Sequence, residues 1–206
     1  MVGAMNSERD RHRRGFAEAA TREFNFLQAA FGLTPGEPEP TVIRYVGNGV
    51  FLSVWHGRQS YEIGLDLGRT RQPVEVGNPY HLADLIAVRG DEAGSNVYRN
   101  YTAVTKEAVA KGLATLASDL QKHGCDALGG HAGVFEMMSE QRRARVRAYA
   151  RALNLVQVRA KAQDAWAAGD YRRVARLLGA LSDALSPAEQ AKLVYARRYQ
   201  PWRSSS

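Results

Sequence analysis

The segment TVIRYVGNGVFLSVWHGRQSYEIGLDLG, residues 41–68, decides the fold class of this 206-residue chain. Its apolar residues are largely β-branched or aromatic. Along Tyr61–Leu67 they alternate with polar residues and glycine, which is the period of a half-buried strand. Asn48-Gly49 is the dipeptide that most strongly predicts a two-residue hairpin turn. The segment therefore predicts an antiparallel meander whose three strands span residues 41–46, 50–55 and 61–67.

Prolines lie on both sides of the meander. Thr34–Pro40 contains three prolines, which exclude a helix, so we expect a loop there. Gln72–Val76 has the composition of a short fourth strand, and Pro73 would restrict it to a sheet edge or a strand start. The predicted sheet thus has three to four strands.

A helical pattern precedes the meander. Residues 7–31 carry one apolar stripe, with Ser7 as the predicted N-cap and Gly32 as the predicted C-cap. The members of the stripe are Phe16, Ala20, Phe24, Leu27 and Phe31. Their spacing of three and four residues predicts one helix with a buried face.

The chain after the meander is predicted to be mainly helical. Gly169-Asp170 breaks the helical pattern, and Ser186 with Glu189 forms a capping box. The glycine-rich residues 126–133 are ambiguous and receive no secondary-structure prediction. The predicted helices span residues 79–88, Thr102 or Thr105 to about His123, Ser139 to about Asp164, 171–181, and Pro187 onward.

These patterns predict an α+β fold with an N-terminal helix, an antiparallel three- to four-stranded meander and a mainly helical C-terminal half. A chain of this length buries about 70% of its unfolded surface, so no disulfide or metal is needed for folding. The prediction places an α+β domain at residues 1–135. An arginine-rich helical segment follows at residues 139–200 and is expected to pack on the first domain.

The basic residues are unevenly distributed along the chain. Residues 139–206 contain fourteen Lys and Arg and five Asp and Glu, a net charge of +9. Residues 1–138 contain fourteen basic and sixteen acidic residues, a net charge of −2. The C-terminal third therefore carries the whole of the net charge of +7.

Five arginines in this basic third are the candidate binding residues. Arg143, Arg147 and Arg151 repeat every four residues and share one helix face, and Arg142 and Arg145 flank them. Such a face could contact phosphates, meet an acidic protein surface, or stay solvated or paired within the chain. A narrow apolar seam is predicted on the other side of the same helix. Its members are Val146, Tyr149, Leu153, Val156 and Ala160.

No group of residues in the sequence indicates catalysis, a metal or a cofactor. Cys125 is the single cysteine and has no predicted base beside it, although His123 and His131 bracket it. The five histidines form no HExxH pattern, and no Cys-x-x-Cys is present. Glu62 and Asp66 share one strand face, which we interpret as a polar sheet face with partners such as Arg44 rather than as an acid–base pair.

The first part of the chain resembles a group of small bacterial proteins. The resemblance lies in Phe24–Leu27, Phe31–Leu33, Val42–Tyr45, Phe51–Val54, Tyr61–Ile63 and Tyr80–Leu85. Their order, over about residues 16–90, is similar to proteins with a leading helix, an antiparallel meander and a following Leu-x-Asp-Leu helix. Some of those proteins resemble immunity proteins that neutralise a toxin of neighbouring bacteria. The resemblance implies a protein without catalysis that binds another protein.

The C-terminal third resembles one tetratricopeptide-type helical hairpin. The residues that carry this resemblance are Ala165-Trp166, Gly169-Asp170-Tyr171, Ala175, Leu178, Ala184-Leu185, Pro187 and Ala191. One such unit cannot form the concave groove of a repeat array, so the resemblance implies a helical cap on the N-terminal domain.

The sequence therefore predicts a non-enzymatic cytoplasmic protein of immunity or regulatory type that binds a protein partner. One alternative is a nucleic-acid-associated protein that uses the arginine-rich helix. Another is an enzyme of unrecognised type in a biosynthetic or accessory role. No apolar run approaches the roughly 18 residues of a membrane helix. Met1–Arg14 lacks the apolar stretch of a secretory signal, so we expect neither a membrane span nor export.

Overall fold

The computed structural model describes residues 15–57, 60–70, 79–90, 101–181 and 184–199. The chain divides into two compact units, unit 1 (residues 1–142) and unit 2 (residues 143–206). The division falls inside a long helix, slightly beyond the predicted boundary at residues 135–139. The predicted α+β class is confirmed, because a helical N-terminal segment, an antiparallel sheet and a mostly helical C-terminal half follow each other along the chain.

Among the described residues the N-terminal segment forms two helices, α1 (Phe16–Glu23) and α2 (Phe26–Phe31), so the prediction of one uninterrupted helix is wrong there. The backbone N–H of Phe24 donates to the carbonyl of Ala20 and closes α1. Asn25, a poor helix former, then stands at the start of α2. The stripe residues as far as Leu27 are nevertheless buried. Gly32 ends α2 in the left-handed conformation with a φ of 65°, as predicted; Ser7 lies outside the described residues.

The described strands form one antiparallel sheet, which confirms the meander. Their bounds are β1 (Thr34–Pro35), β2 (Val42–Gly47), β3 (Val50–His56), β4 (Glu62–Arg69), β5 (Tyr80–His81) and β6 (Tyr101–Thr102). The order across the sheet is β1-β2-β3-β4-β5, and β6 pairs with the other end of β4. Asn48 and Gly49 have φ values of 51° and 72°, as the predicted hairpin turn requires.

Two predictions near the prolines have different outcomes. The predicted loop at Thr34–Pro40 is wrong at its start, because Thr34 and Pro35 pair with Val46 and Tyr45 of β2. Pro35 is tolerated there because β1 is an edge strand, where a missing N–H breaks no central ladder. The predicted fourth strand at Gln72–Val76 lies outside the described residues. Strand β5 pairs antiparallel with β4.

Cross-strand register sorts the side chains of the sheet onto two faces. The inner face carries two buried rows of cross-strand neighbours: Ile43, Val54 and Leu65, and Tyr45, Leu52, Leu67 and Tyr80. Helix α1 and the later helix α4 (Lys106–His123) pack on each other and on this face. The core of unit 1 thus lies between the sheet and these helices.

The helix predicted for residues 79–88 begins at Leu82, because Tyr80 and His81 form β5, and the later predicted helices begin close to their predicted starts with one exception. The bounds of the helices after the sheet are α3 (Leu82–Val88), α4 (Lys106–His123), α5 (Cys125–Leu128), α6 (Ala132–Ala167), α7 (Tyr171–Gly179) and α8 (Pro187–Arg198). Ser139 does not cap a helix, because α6 already begins at Ala132. The earlier start buries Val134, Phe135 and Met138 in the core of unit 1. The predicted caps at Thr105 and Ser186 are confirmed by hydrogen bonds to the N–H groups of Ala108 and Glu189.

Unit 2 has a small core of its own, built from α6, α7 and α8. Its buried residues are Ala162, Ala165, Val174, Ala175, Leu178, Leu193 and Ala196. Small side chains let the helices approach closely, and Trp166, Tyr171 and Tyr195 meet edge to face with ring centroids 5.4–5.5 Å apart. The break at Gly169-Asp170 is confirmed, and the Asp170 carboxylate caps α7 through the N–H of Arg173 at 3.0 Å. In the described ranges no helix is both long and apolar enough to cross a membrane.

Candidate interaction surface on helix α6

The apolar seam of helix α6 is exposed to solvent. The seam residues Val146, Tyr149, Leu153 and Val156 are 62%, 71%, 47% and 64% exposed. They recur at intervals of three, four and three residues, which is the heptad spacing by which one helix packs along another. Residues 143–154 contain no buried residue at all. The seam is therefore a continuous apolar stripe in contact with solvent.

The face of α6 that packs in unit 2 is a different one. Ala162 and Ala165 are buried in the core of unit 2, and Leu155 and Val158 are half-buried. At 3.6 residues per turn these four residues lie on the side of the helix opposite the seam. The core of unit 2 thus accounts for one apolar face of α6 and leaves the seam outside it.

The charges around the seam have one sign. Between Gln141 and Gln163 the chain contains six arginines, one lysine and no acidic residue. In a heptad that places Val146 and Leu153 at the first position, Arg143 and Arg145 occupy the flanking positions at the N-terminal end of the seam. Ala150 and Ala152 occupy the flanking positions at its centre. The seam is thus bordered by cations at one end and by small neutral side chains in the middle.

The candidate arginines of this helix fall into two groups. Arg143, Arg145, Arg147 and Arg151 are all exposed. Arg147 and Arg151 lie on the face away from the seam and have no hydrogen bond, ion pair or ring contact with another described residue. This arrangement leaves at least two of the predicted binding residues able to contact a partner without breaking a contact in the structure.

Arg142 belongs to the second group, because the structure places it inside unit 1. Its guanidinium donates to the carboxylate of Asp84 at 3.2 Å and to the carbonyl of Pro79 at 2.9 Å. It also lies over the ring of Tyr80, 4.2 Å from the centroid. The Asp84 carboxylate is only 6% exposed and accepts the backbone N–H of His81 at 3.0 Å. Arg142 therefore neutralises a buried carboxylate and joins α6 to the start of α3.

Two members of the predicted polar sheet face, Asp66 and Arg44, have partners other than each other. Arg44, Ser53, Asp66 and His81 are cross-strand neighbours in one row on the outer face. Asp66 is bonded to Nδ1 of His81 at 2.7 Å, and the guanidinium of Arg44 lies 4.6 Å above the ring of Phe51. The hydrogen bond to Asp66 raises the pKa of His81 above its ordinary value of 6.5, although partial burial acts in the opposite direction.

Glu62 and Asp66 do not form a carboxylate pair. They are four residues apart on β4, roughly 13 Å along the strand. The ring of Trp55 lies over Gly64 between them, where a Cβ atom would come within 2.2 Å of the indole. The two acids therefore cannot share a proton or a substrate atom.

The cysteine region offers no thiol site either. Cys125 is exposed, and its thiol lies 3.4 Å from the carbonyl of Gln121 in the preceding turn. His123 and His131 make no hydrogen bond or ion pair with it in the part of the chain that the structure describes. The glycines that follow it serve packing, because a Cβ atom at Gly130 would lie 2.3 Å from the carbonyl of Asn48 at the hairpin tip. The same described residues contain no group of three or more side chains that could hold a metal ion.

The sequence missed the residues that the fold brings together from a distance. No short sequence pattern predicts the Asp66–His81 contact or the Asp84–Arg142 contact, because the partners lie 15 and 58 residues apart in the sequence. The sequence matches no family model, and no curated protein or solved structure matches it either. The resemblances to immunity proteins and to a tetratricopeptide hairpin therefore stay predictions.

Proposed function

We propose that this protein is a non-enzymatic interaction protein that binds a protein partner along the apolar seam of α6. The observation that carries the proposal is the heptad-spaced exposure of Val146, Tyr149, Leu153 and Val156. Burying a valine or leucine side chain is worth about 1.5–3 kcal/mol, so the seam offers a partner several such contributions along one line. An immunity or regulatory role is consistent with binding of this kind.

The positive charges at the N-terminal end of the seam favour a partner helix that carries acidic residues. A helix with an apolar ridge between acidic residues would place its carboxylates near Arg143 and Arg145, and electrostatic attraction would increase its association rate. A second copy of this chain is a poor partner, because each copy brings arginines and no carboxylate within residues 141–163. The small side chains of Ala150 and Ala152 would let the partner helix approach closely at the centre.

Co-purification from the native host at low salt tests the proposal. We expect the wild-type chain to retain a protein that Leu153→Asp loses, because the new carboxylate would be buried in the apolar contact. Asn154→Asp is the matched control, since it adds the same charge to the neighbouring exposed position and leaves the seam intact. Equal retention by both variants, or no retained protein at low salt, would contradict the proposal.

The exposed arginines support a second candidate, a nucleic-acid-associated protein. Arg147 and Arg151 are the test residues because they lack contacts with other described residues. Binding through several phosphates would weaken steeply between about 50 and 200 mM salt, and replacing both arginines with glutamine would reduce the salt slope. Absence of binding to DNA or RNA at 50 mM salt eliminates this candidate.

A further inference from the structure

A second basic feature lies in unit 2, in a cleft between α7 and α8. The cleft has a volume of about 600 Å³ and is lined by Asp170, Arg172, Arg173, Ala175, Arg176 and Arg197. We call it the arginine cleft. Its volume lies within the range of small-molecule sites, about 300–1,000 Å³. None of its arginines belongs to the group on α6 discussed above, so a ligand here would not compete for the same residues.

The arginines of the cleft have no partners within the described part of the chain. Arg172, Arg173, Arg176 and Arg197 make no hydrogen bond, ion pair or ring contact with another described residue through their side chains. Asp170, the one acidic residue in the described lining, already accepts the N–H of Arg173 as the cap of α7. The described lining therefore carries four positive charges and one negative charge.

This concentration of charge is permanent. An arginine guanidinium stays charged in a protein, so the cleft cannot relieve repulsion by deprotonation. Like charges one helical turn apart, as at Arg172 and Arg176, destabilise a helix. A bound anion would remove this repulsion, and guanidinium groups match the oxygens of a phosphate with paired hydrogen bonds.

We infer that the arginine cleft binds a small anion with two or three linked phosphates. The net charge of the lining calls for an anion with about three negative charges in a small volume, which a single carboxylate or chloride does not supply. A nucleic-acid strand is less suitable, because strands are usually held by aromatic side chains on which their bases stack, and the described lining contains none. Inorganic pyrophosphate and the phosphate chain of a nucleoside triphosphate share this chemistry.

Calorimetric titration of the full-length chain with pyrophosphate, against a sodium chloride control of equal ionic strength, tests the inference. We expect saturable binding with one site per chain. In Arg173→Gln/Arg176→Gln the affinity should fall by at least about tenfold, because a charge-assisted hydrogen bond is worth about 1.5–3 kcal/mol. The matched control Lys111→Gln/Lys122→Gln loses the same charge at two exposed side chains of unit 1 and should bind within about twofold of the wild type.

A further titration distinguishes a free phosphate chain from a nucleotide as the ligand. Titration with a nucleoside triphosphate shows whether the base and sugar add affinity beyond that of the phosphate chain. Absence of pyrophosphate binding overturns the inference, and so does an equal loss in the two double variants. Binding of a single-stranded oligonucleotide that Arg173→Gln/Arg176→Gln weakens and that pyrophosphate does not displace would assign the cleft to nucleic acid instead. The substituted basic side chains are exposed, so we expect each variant to fold. Circular dichroism before the titration verifies this.

Discussion

At the scale of single residues, the contact between Asp66 and His81 makes one part of unit 1 sensitive to pH. The hydrogen bond at 2.7 Å raises the pKa of His81 above 6.5 in the folded chain. A raised pKa means that the folded state binds the proton more tightly than the unfolded state does. The stabilisation is therefore complete below pH 6.5 and is lost as pH rises through the higher folded pKa. Both side chains are partly exposed, so solvent screens the contact and its energy is small.

Replacing Asp66 with asparagine should remove this dependence. We expect the pKa of His81, measured by NMR titration of its ring protons, to fall in Asp66→Asn because the carboxylate that bonds the imidazolium is gone. The drop in the stability of the wild type as pH rises above 6.5 should become smaller in the variant. An unchanged His81 pKa in Asp66→Asn would contradict the assignment of Asp66 as its main cause.

At the scale of elements, the β2–β3 hairpin is attached to two helices through its turn. The side-chain amide of Asn48 donates to the carbonyl of Phe31 at 2.7 Å and to that of Leu128 at 3.1 Å. These carbonyls belong to the last residues of α2 and α5, where helices leave carbonyl groups without partners. The turn residue thus closes the hairpin and satisfies two helix ends.

The variant Asn48→Gly separates the turn conformation from the helix-end hydrogen bonds. Glycine adopts the left-handed conformation at no steric cost but has no side-chain amide to donate. We expect the free energy of unfolding to fall by about 1–3 kcal/mol, the worth of two hydrogen bonds, in chemical denaturation. Asn48→Asp should lose a similar amount, since aspartate tolerates the conformation and cannot donate. Wild-type stability in Asn48→Gly would show that the amide contributes nothing.

Turns, caps and helix breaks that depend on a few neighbouring residues are predictable from the sequence, whereas contacts between distant elements are not. The turn at Asn48-Gly49, the cap at Ser186 and the break at Gly169-Asp170 are fixed by residues within four positions of each other. The sequence pattern places the start of α6 seven residues too late, at Ser139 instead of Ala132. Ser139 is a favourable N-cap residue, but burial of Phe135 and Met138 against distant parts of unit 1 favours the earlier start. Arg142 was grouped with the exposed arginines because its partner Asp84 is remote in sequence. The apolar seam was identified from its spacing, but spacing alone does not tell an exposed face from a packed one.

At the scale of the whole molecule, each unit has a core of its own, so cooperative unfolding of the entire chain is not required. Unit 1 has a large core between its sheet and helices, whereas the core cluster of unit 2 contains seven of the described residues, four of them alanines. Apolar area buried is the main favourable contribution to folding, so unit 2 should be the less stable of the two.

Scanning calorimetry should therefore show two transitions. Leu178→Ala, in the core of unit 2, should lower only the first transition, and Leu52→Ala, in the core of unit 1, only the second. Each change removes a buried leucine at a cost of about 2–5 kcal/mol, which is a shift of many degrees in units of this size. A single transition that moves equally in both variants would contradict independent cores.

The choice of arginine over lysine on α6 has a consequence for regulation. Of the seven basic residues between Gln141 and Gln163, only Lys161 is a lysine. Enzymes that acetylate lysine could therefore neutralise no more than one of these charges, and methylation of an arginine would leave its charge in place. A cell could not switch off this surface by acylation. It would have to control the amount of the protein or occupy the surface with a competing ligand.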